Sequence, residues 1–130
     1  MTTVFRLTAA TAIALALLLA AMPARAHDDE KGPNGGPMVT VEDKHLEFVA
    51  KGAEIIVYVS DKKHEPLATA GGSGRAIVQM SGKTTTVPLT PGEGNRLVGK
   101  ADTAIASGAR VVVSATLPGG AAVQARFTVK

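Results

Sequence analysis

The chain has no cysteine and no tryptophan, and holds one tyrosine and three phenylalanines in 130 residues. Without cysteine there can be no disulfide, no thiolate metal site and no cysteine nucleophile. A lipoprotein anchor, which needs a cysteine after the leader, is excluded too. One ring, Phe5, falls in the first 26 residues, leaving Phe48, Tyr58 and Phe127. Nucleic-acid binding calls for a basic stripe and usually a set of stacking rings, and neither is present. The same shortage leaves no aromatic platform for a sugar. No serine sits in a strained-elbow motif, so a serine hydrolase is not expected. Gly71-Gly72-Ser73-Gly74 lacks the Lys-Ser/Thr that a phosphate loop requires and is expected to be an ordinary loop. The chain is not expected to be an enzyme.

What is there begins with a processing signal. Arg6 gives residues 1–26 a positive start, and Leu7 to Ala21 form an apolar run broken only by threonines. Pro23 precedes Ala24-Arg25-Ala26, the small-x-small pattern cut by signal peptidase. The run is shorter than the roughly 20 residues that span a bilayer. A cleaved signal peptide over 1–26 is therefore expected, with no membrane span in the mature chain; an uncleaved anchor is the competing reading. Cleavage leaves 104 residues with twelve basic and eleven acidic side chains, so the net charge falls from +3 to +1. That length fits one small domain.

Residues 27–37 (HDDEKGPNGGP) form a polar, Gly/Pro-rich leader, expected to be flexible unless the domain or a ligand ties it down. From residue 38 to 130 the period is two, not 3.6. Val39 and Val41 alternate with polar neighbours, as do Leu46 and Phe48. A two-residue loop at Asp43-Lys44 would place Val41 opposite Leu46 and Glu42 opposite His45. Glu54 to Ser60 is apolar on both faces, the mark of a central strand. Further strands are expected near Leu67–Ala70, Ala76–Met80, Lys83–Leu89, Arg96–Lys100, Val111–Leu117 and Val123–Val129, with Ser81-Gly82 as a tight turn. About eight short strands and no amphipathic helix predict an all-β fold, a single small antiparallel β-sandwich of immunoglobulin-like architecture.

The chain has three histidines, none at a predicted core position. Cleavage after Ala26 would leave His27 with a free α-amine beside its imidazole. Amine nitrogen and Nδ1 can close a chelate ring, and an α-amine with a pKa near 7.7 loses its proton readily at neutral pH. Such nitrogen donors favour Cu(II), with Ni(II) and Zn(II) behind. His45 and Glu47, at i and i+2 on a strand, project from one face. They fit a metal pair, or a ligand with the carboxylate that orients it, but taken alone they fit an ordinary solvated face with a cross-strand Glu42–His45 contact better. His64 sits in the turn Asp61 to Pro66, either as a third ligand or as a residue tolerated at positive φ. Met38 is a weaker soft-donor candidate, and Met80 fits the core better.

Two stretches, GPNGGPMVTVEDKHLEFV and GAEIIVYVSDKKHEPL, resemble small exported proteins whose mature chains begin with His and a Gly-Pro-x-Gly-Gly motif. They also resemble the N-terminal β-domain of periplasmic adaptor subunits in heavy-metal efflux pumps. The resemblance covers most of the mature chain and is sharpest from Gly32 to Glu47. It implies a Gram-negative periplasm, a role in copper, nickel, cobalt or zinc handling, and an efflux-pump or envelope protein as partner. It carries to Gly32, Pro33, Gly35, Gly36, His45 and Glu47, and less directly to His27. Two expectations follow. One is a periplasmic accessory protein that binds a transition metal through His27, His45, Glu47 and His64. The other is a metal-independent interaction module of the cell envelope.

Overall fold

A computed structural model of the chain describes residues 30–130. The expected signal peptide and His27 lie outside them. Among the described residues nine strands are present: β1 (Glu30–Lys31), β2 (Pro37–Val41), β3 (Lys44–Lys51), β4 (Glu54–Asp61), β5 (Ser73–Met80), β6 (Lys83–Pro91), β7 (Arg96–Lys100), β8 (Arg110–Thr116) and β9 (Ala122–Thr128). They form one antiparallel sheet in the order β1-β2-β3-β4-β7-β6-β5-β8-β9. The sheet curls until β2 lies close to β9. β6 makes the bend possible. Its residues Lys83 to Leu89 pair with β5, while Thr90 and Pro91 pair with β7.

Alternation decides what the curl encloses. Leu46 and Phe48 of β3 and Ile55, Val57 and Val59 of β4 point inward and are almost wholly buried. From the far end of the sheet, Val111, Val113 and Phe127 meet them in one apolar cluster. The rings of Phe48 and Phe127 lie 5.5 Å apart, and burying each is worth about 2–3 kcal/mol. β4 is central, between β3 and β7. Its outward Ile56 is also buried, covered by its cross-strand neighbours Val49 and Val98. The apolar double face of that segment has this cause.

Two local expectations are corrected, and the condition set for the leader, that the domain ties it down, is met from Glu30 onward. The β2–β3 turn is Glu42-Asp43, with Glu42 at φ 57°, so Val39 faces Leu46, Thr40 faces His45 and Met38 faces Glu47. The pairing is slipped by two residues from Val41 opposite Leu46. A slip of two keeps every side chain on its own face, so the apolar pattern could not distinguish the registers. The leader is not a free arm from Glu30 onward: Glu30 and Lys31 pair with Met38 and Pro37, and the loop after them is bonded to β3. Leu67 to Ala70 is not a strand; a single bridge, between Ser60 and Pro66, lies just before it. Thr69 there is fully buried, and its hydroxyl donates to the Arg96 carbonyl at 2.6 Å. The side chain adds to two backbone bonds, from the Leu67 N–H to the Val59 carbonyl at 3.0 Å and from the Thr69 N–H to the Gly94 carbonyl at 3.1 Å.

Candidate functional site

Cross-strand register builds the outer face of β2, β3, β4 and β7. One row runs Met38, Glu47, Tyr58, Arg96; the next runs Thr40, His45, Ser60. The Arg96 guanidinium sits 5.9 Å from the Tyr58 ring centre. A cavity of about 260 Å³ opens here, bordered by Asn34, Met38, Glu47, Tyr58, His64 and Arg96.

Glu47 is only 2% exposed. A buried carboxylate needs partners, and among the described residues no cation supplies them. Instead the loop Gly32 to Gly36 closes over it. The Asn34 N–H donates to both carboxylate oxygens at 2.9 and 3.2 Å, the Asn34 side-chain amide donates at 3.0 Å, and the Gly36 N–H donates at 2.9 Å. The loop closes on itself through the Gly32 N–H to the Gly36 carbonyl at 2.7 Å and the Gly35 N–H to the Gly32 carbonyl at 3.0 Å. The glycines are there for space. A Cβ on Gly32 would strike the Glu47 carboxyl group, and one on Gly36 would strike the Phe48 carbonyl oxygen. The Gly-Pro-Asn-Gly-Gly stretch is thus an anion-binding loop whose anion belongs to the chain itself. Glu47, expected among the metal ligands, has both oxygens occupied by this loop.

His45 and His64 are brought together. His45 is buried on β3, with Nδ1 2.9 Å from the Thr40 hydroxyl oxygen. His64 is exposed, in the turn after β4, at φ 64°. Asp61 shapes that turn: its carboxylate accepts from the Lys63 and Glu65 N–H groups at 2.8 and 2.9 Å, and its carbonyl accepts from the His64 N–H at 2.9 Å. The turn lays the His64 ring flat on His45, with centroids 4.1 Å apart and planes inclined by 9°. Imidazole lone pairs lie in the ring plane, so parallel stacked rings do not aim at one point. Among the described residues no three His, Asp or Glu side chains are grouped to hold a metal ion.

Away from this face, the Lys44 ammonium lies 2.9 Å from Asp43 at the hairpin tip. Its hydrogen bond and charge hold the Asp43 carboxyl below its usual range. Met80 lies at the edge of the core, with the Ala106 N–H against its sulfur at 3.2 Å.

Sequence reasoning passed over Asn34, Thr40 and Asp61. Asn34 was visible as the polar residue between Pro33 and Gly35 in a glycine-rich loop. Thr40 became a partner of His45 only through the corrected register. No family model, curated protein or solved structure matches the chain, so the functional reading rests on its own residues.

Proposed function

We propose that this is an exported periplasmic accessory protein that binds one transition-metal ion, Cu(II) foremost, with Ni(II) and Zn(II) as weaker ligands of the same site. The curled sheet is taken as a two-layered sandwich of immunoglobulin-like architecture, β5, β6, β8 and β9 facing the other strands. The observation that carries the metal reading is the meeting of His45 and His64, which are 19 positions apart.

Thr40 supports it chemically. With Nδ1 protonated and donating to the Thr40 hydroxyl, Nε2 of His45 keeps its lone pair for a metal, and its orientation is fixed from behind. His64 is exposed and can swing out of the stack to share that ion. His27 completes the set through its amine and imidazole. Glu30 is the third residue after His27 and lies across from Met38. Two strand spacings and two residues along the strand separate Glu30 from His45, about 12 Å. Three residues of chain reach about 10 Å, and two side chains add the remainder. Glu47 is left out of the ligand set because its oxygens serve the loop.

The test uses protein exported and processed in cells, its N-terminus established by mass spectrometry. Calorimetric titration with Cu(II), Ni(II) and Zn(II) should give one-to-one binding. Affinity should fall in His45→Ala, in His64→Ala and in a chain extended by one residue ahead of His27. An affinity no greater than that of the free peptide His-Asp-Asp-Glu would overturn the reading. The metal-independent envelope module would then stand in its place.

A further inference from the structure

The opposite face of the molecule is built differently. Residues 73–91 and 110–128, which make β5, β6, β8 and β9, contain no aspartate or glutamate. On β5, Ala76 and Val78 point inward, so Arg75, Ile77 and Gln79 point out. The same logic turns Arg110, Val112 and Ser114 outward on β8, and Gln124, Arg126 and Thr128 outward on β9.

Register places the three arginines on one surface. Arg75 lies across from Ser114, Arg126 across from Val112, and Arg110 across from Thr128. They spread over about 10 Å across the strands and about 13 Å along them. All three are exposed, and among the described residues none forms an ion pair. Arg110 and Arg126 border a shallow groove of about 430 Å³ with Ile77 and Val112 in it. Arg75 borders a second, of about 620 Å³, with Ser114 and Gln124. Elsewhere the surface mixes signs; here it carries one sign only.

We propose that this face docks on an anionic, phosphate-bearing lipid bilayer surface. Charge complementarity sets the sign of the partner. The residue type narrows it further: all three outward cations are arginine, whose planar fork matches phosphate oxygens in pairs. The face presents no aromatic ring, so it lacks the stacking surface a polysaccharide would use and the Trp and Tyr anchors that are enriched, with Arg, at protein interfaces. A bilayer asks for neither. It offers phosphates at many positions to cations held in one plane, each worth a roughly fivefold gain in partitioning. The proposal does not involve the histidine face and stands or falls apart from the metal reading.

The experiment is co-sedimentation of the processed protein with vesicles of equal parts phosphatidylglycerol and phosphatidylcholine, beside vesicles of phosphatidylcholine alone. Binding is expected to the anionic vesicles only, and to disappear at about 0.5 M salt. Each of Arg75→Gln, Arg110→Gln and Arg126→Gln should weaken it roughly fivefold, and the triple variant roughly a hundredfold. A control removes the same charge elsewhere, as Lys51→Gln, Lys63→Gln and Lys100→Gln, and should bind like the parent. Thermal melts verify that each variant is folded, and the single variants decide the matter should the triple one not fold. Equal binding to neutral vesicles, or equal loss in the lysine control, overturns the proposal. So does failure to bind anionic vesicles. If dextran sulfate is captured in that case, the face serves a soluble polyanion instead.

Discussion

Replacing Glu47 with alanine should be among the most damaging single changes available outside the apolar core. The carboxylate accepts from three donors, the Asn34 N–H, the Asn34 amide and the Gly36 N–H. Gly36 is itself buried, so its N–H has no water to turn to. A hydrogen bond to a charged group contributes about 1.5–3 kcal/mol, and an orphaned buried donor costs about 1–3 kcal/mol. Asn34 is exposed and can recover water, which discounts its two bonds. The sum for Glu47→Ala is about 3–5 kcal/mol, or a fall in Tm of more than about 12 °C for a domain of this size.

Glu47→Gln should cost much less, about 1–2 kcal/mol. The oxygen that receives the Asn34 and Gly36 N–H groups can be kept as the amide oxygen. The new NH₂ group then meets the Asn34 side chain, which need only turn its own amide to accept. Urea unfolding of both variants reads these values, and amide exchange at Gly36 reports the loop directly. A Glu47→Ala protein within about 0.5 kcal/mol of the parent, with Gly36 still protected, would refute the reasoning. So would Glu47→Gln proving as costly as Glu47→Ala.

Two further outcomes follow from single contacts. Thr40→Val leaves His45 in place but frees its ring, and should weaken metal affinity by about 10- to 100-fold with little change in stability; calorimetric titration beside a thermal melt checks both halves. Thr69→Val removes the hydroxyl that reaches the Arg96 carbonyl, and should cost about 0.5–1.5 kcal/mol by urea unfolding, because that carbonyl still accepts from the Gly92 N–H and is not left without a partner.

The strands were legible because each core residue alternates with a polar one, and β4 because both its faces are apolar. What the alternation could not carry was register. A slip of two residues returns every side chain to the same face, and the β2–β3 pairing slipped by that amount. The slip is decided by Glu47: the loop ending at Gly36 must arrive beside it, and moving β2 by two residues would miss by about 7 Å. β1 was invisible for a related reason. Glu30-Lys31 has no apolar signature at all and pairs with β2 through its backbone. The Gly-Pro-Asn-Gly-Gly motif was visible as a motif, but its partner lay in a different strand. The meeting of His45 and His64 depends on Asp61 folding one turn back over β3. Nothing in the spacing of the two histidines encodes that.

The loop over Glu47 also sets the length of the tether that carries His27. With the loop closed, the chain is fastened at Glu30, three residues after His27; with it open, the first fixed point is Pro37, ten residues on. Effective concentration of a tethered group falls as about the three-halves power of tether length, so opening the loop should lower it about sixfold. If the proposed site binds metal, Glu47 assists that binding without touching the metal. Asn34→Ala, which weakens the loop and removes no candidate ligand, should reduce Cu(II) affinity in the same direction as Glu47→Ala and by no more than about sixfold. Calorimetry on both variants separates the two roles. If Glu47→Ala loses about a hundredfold and Asn34→Ala loses nothing, the carboxylate is a ligand after all and the loop must open for it to bind. If amide exchange shows the loop released and affinity is unchanged in both, His27 does not reach His45 and the tether argument fails.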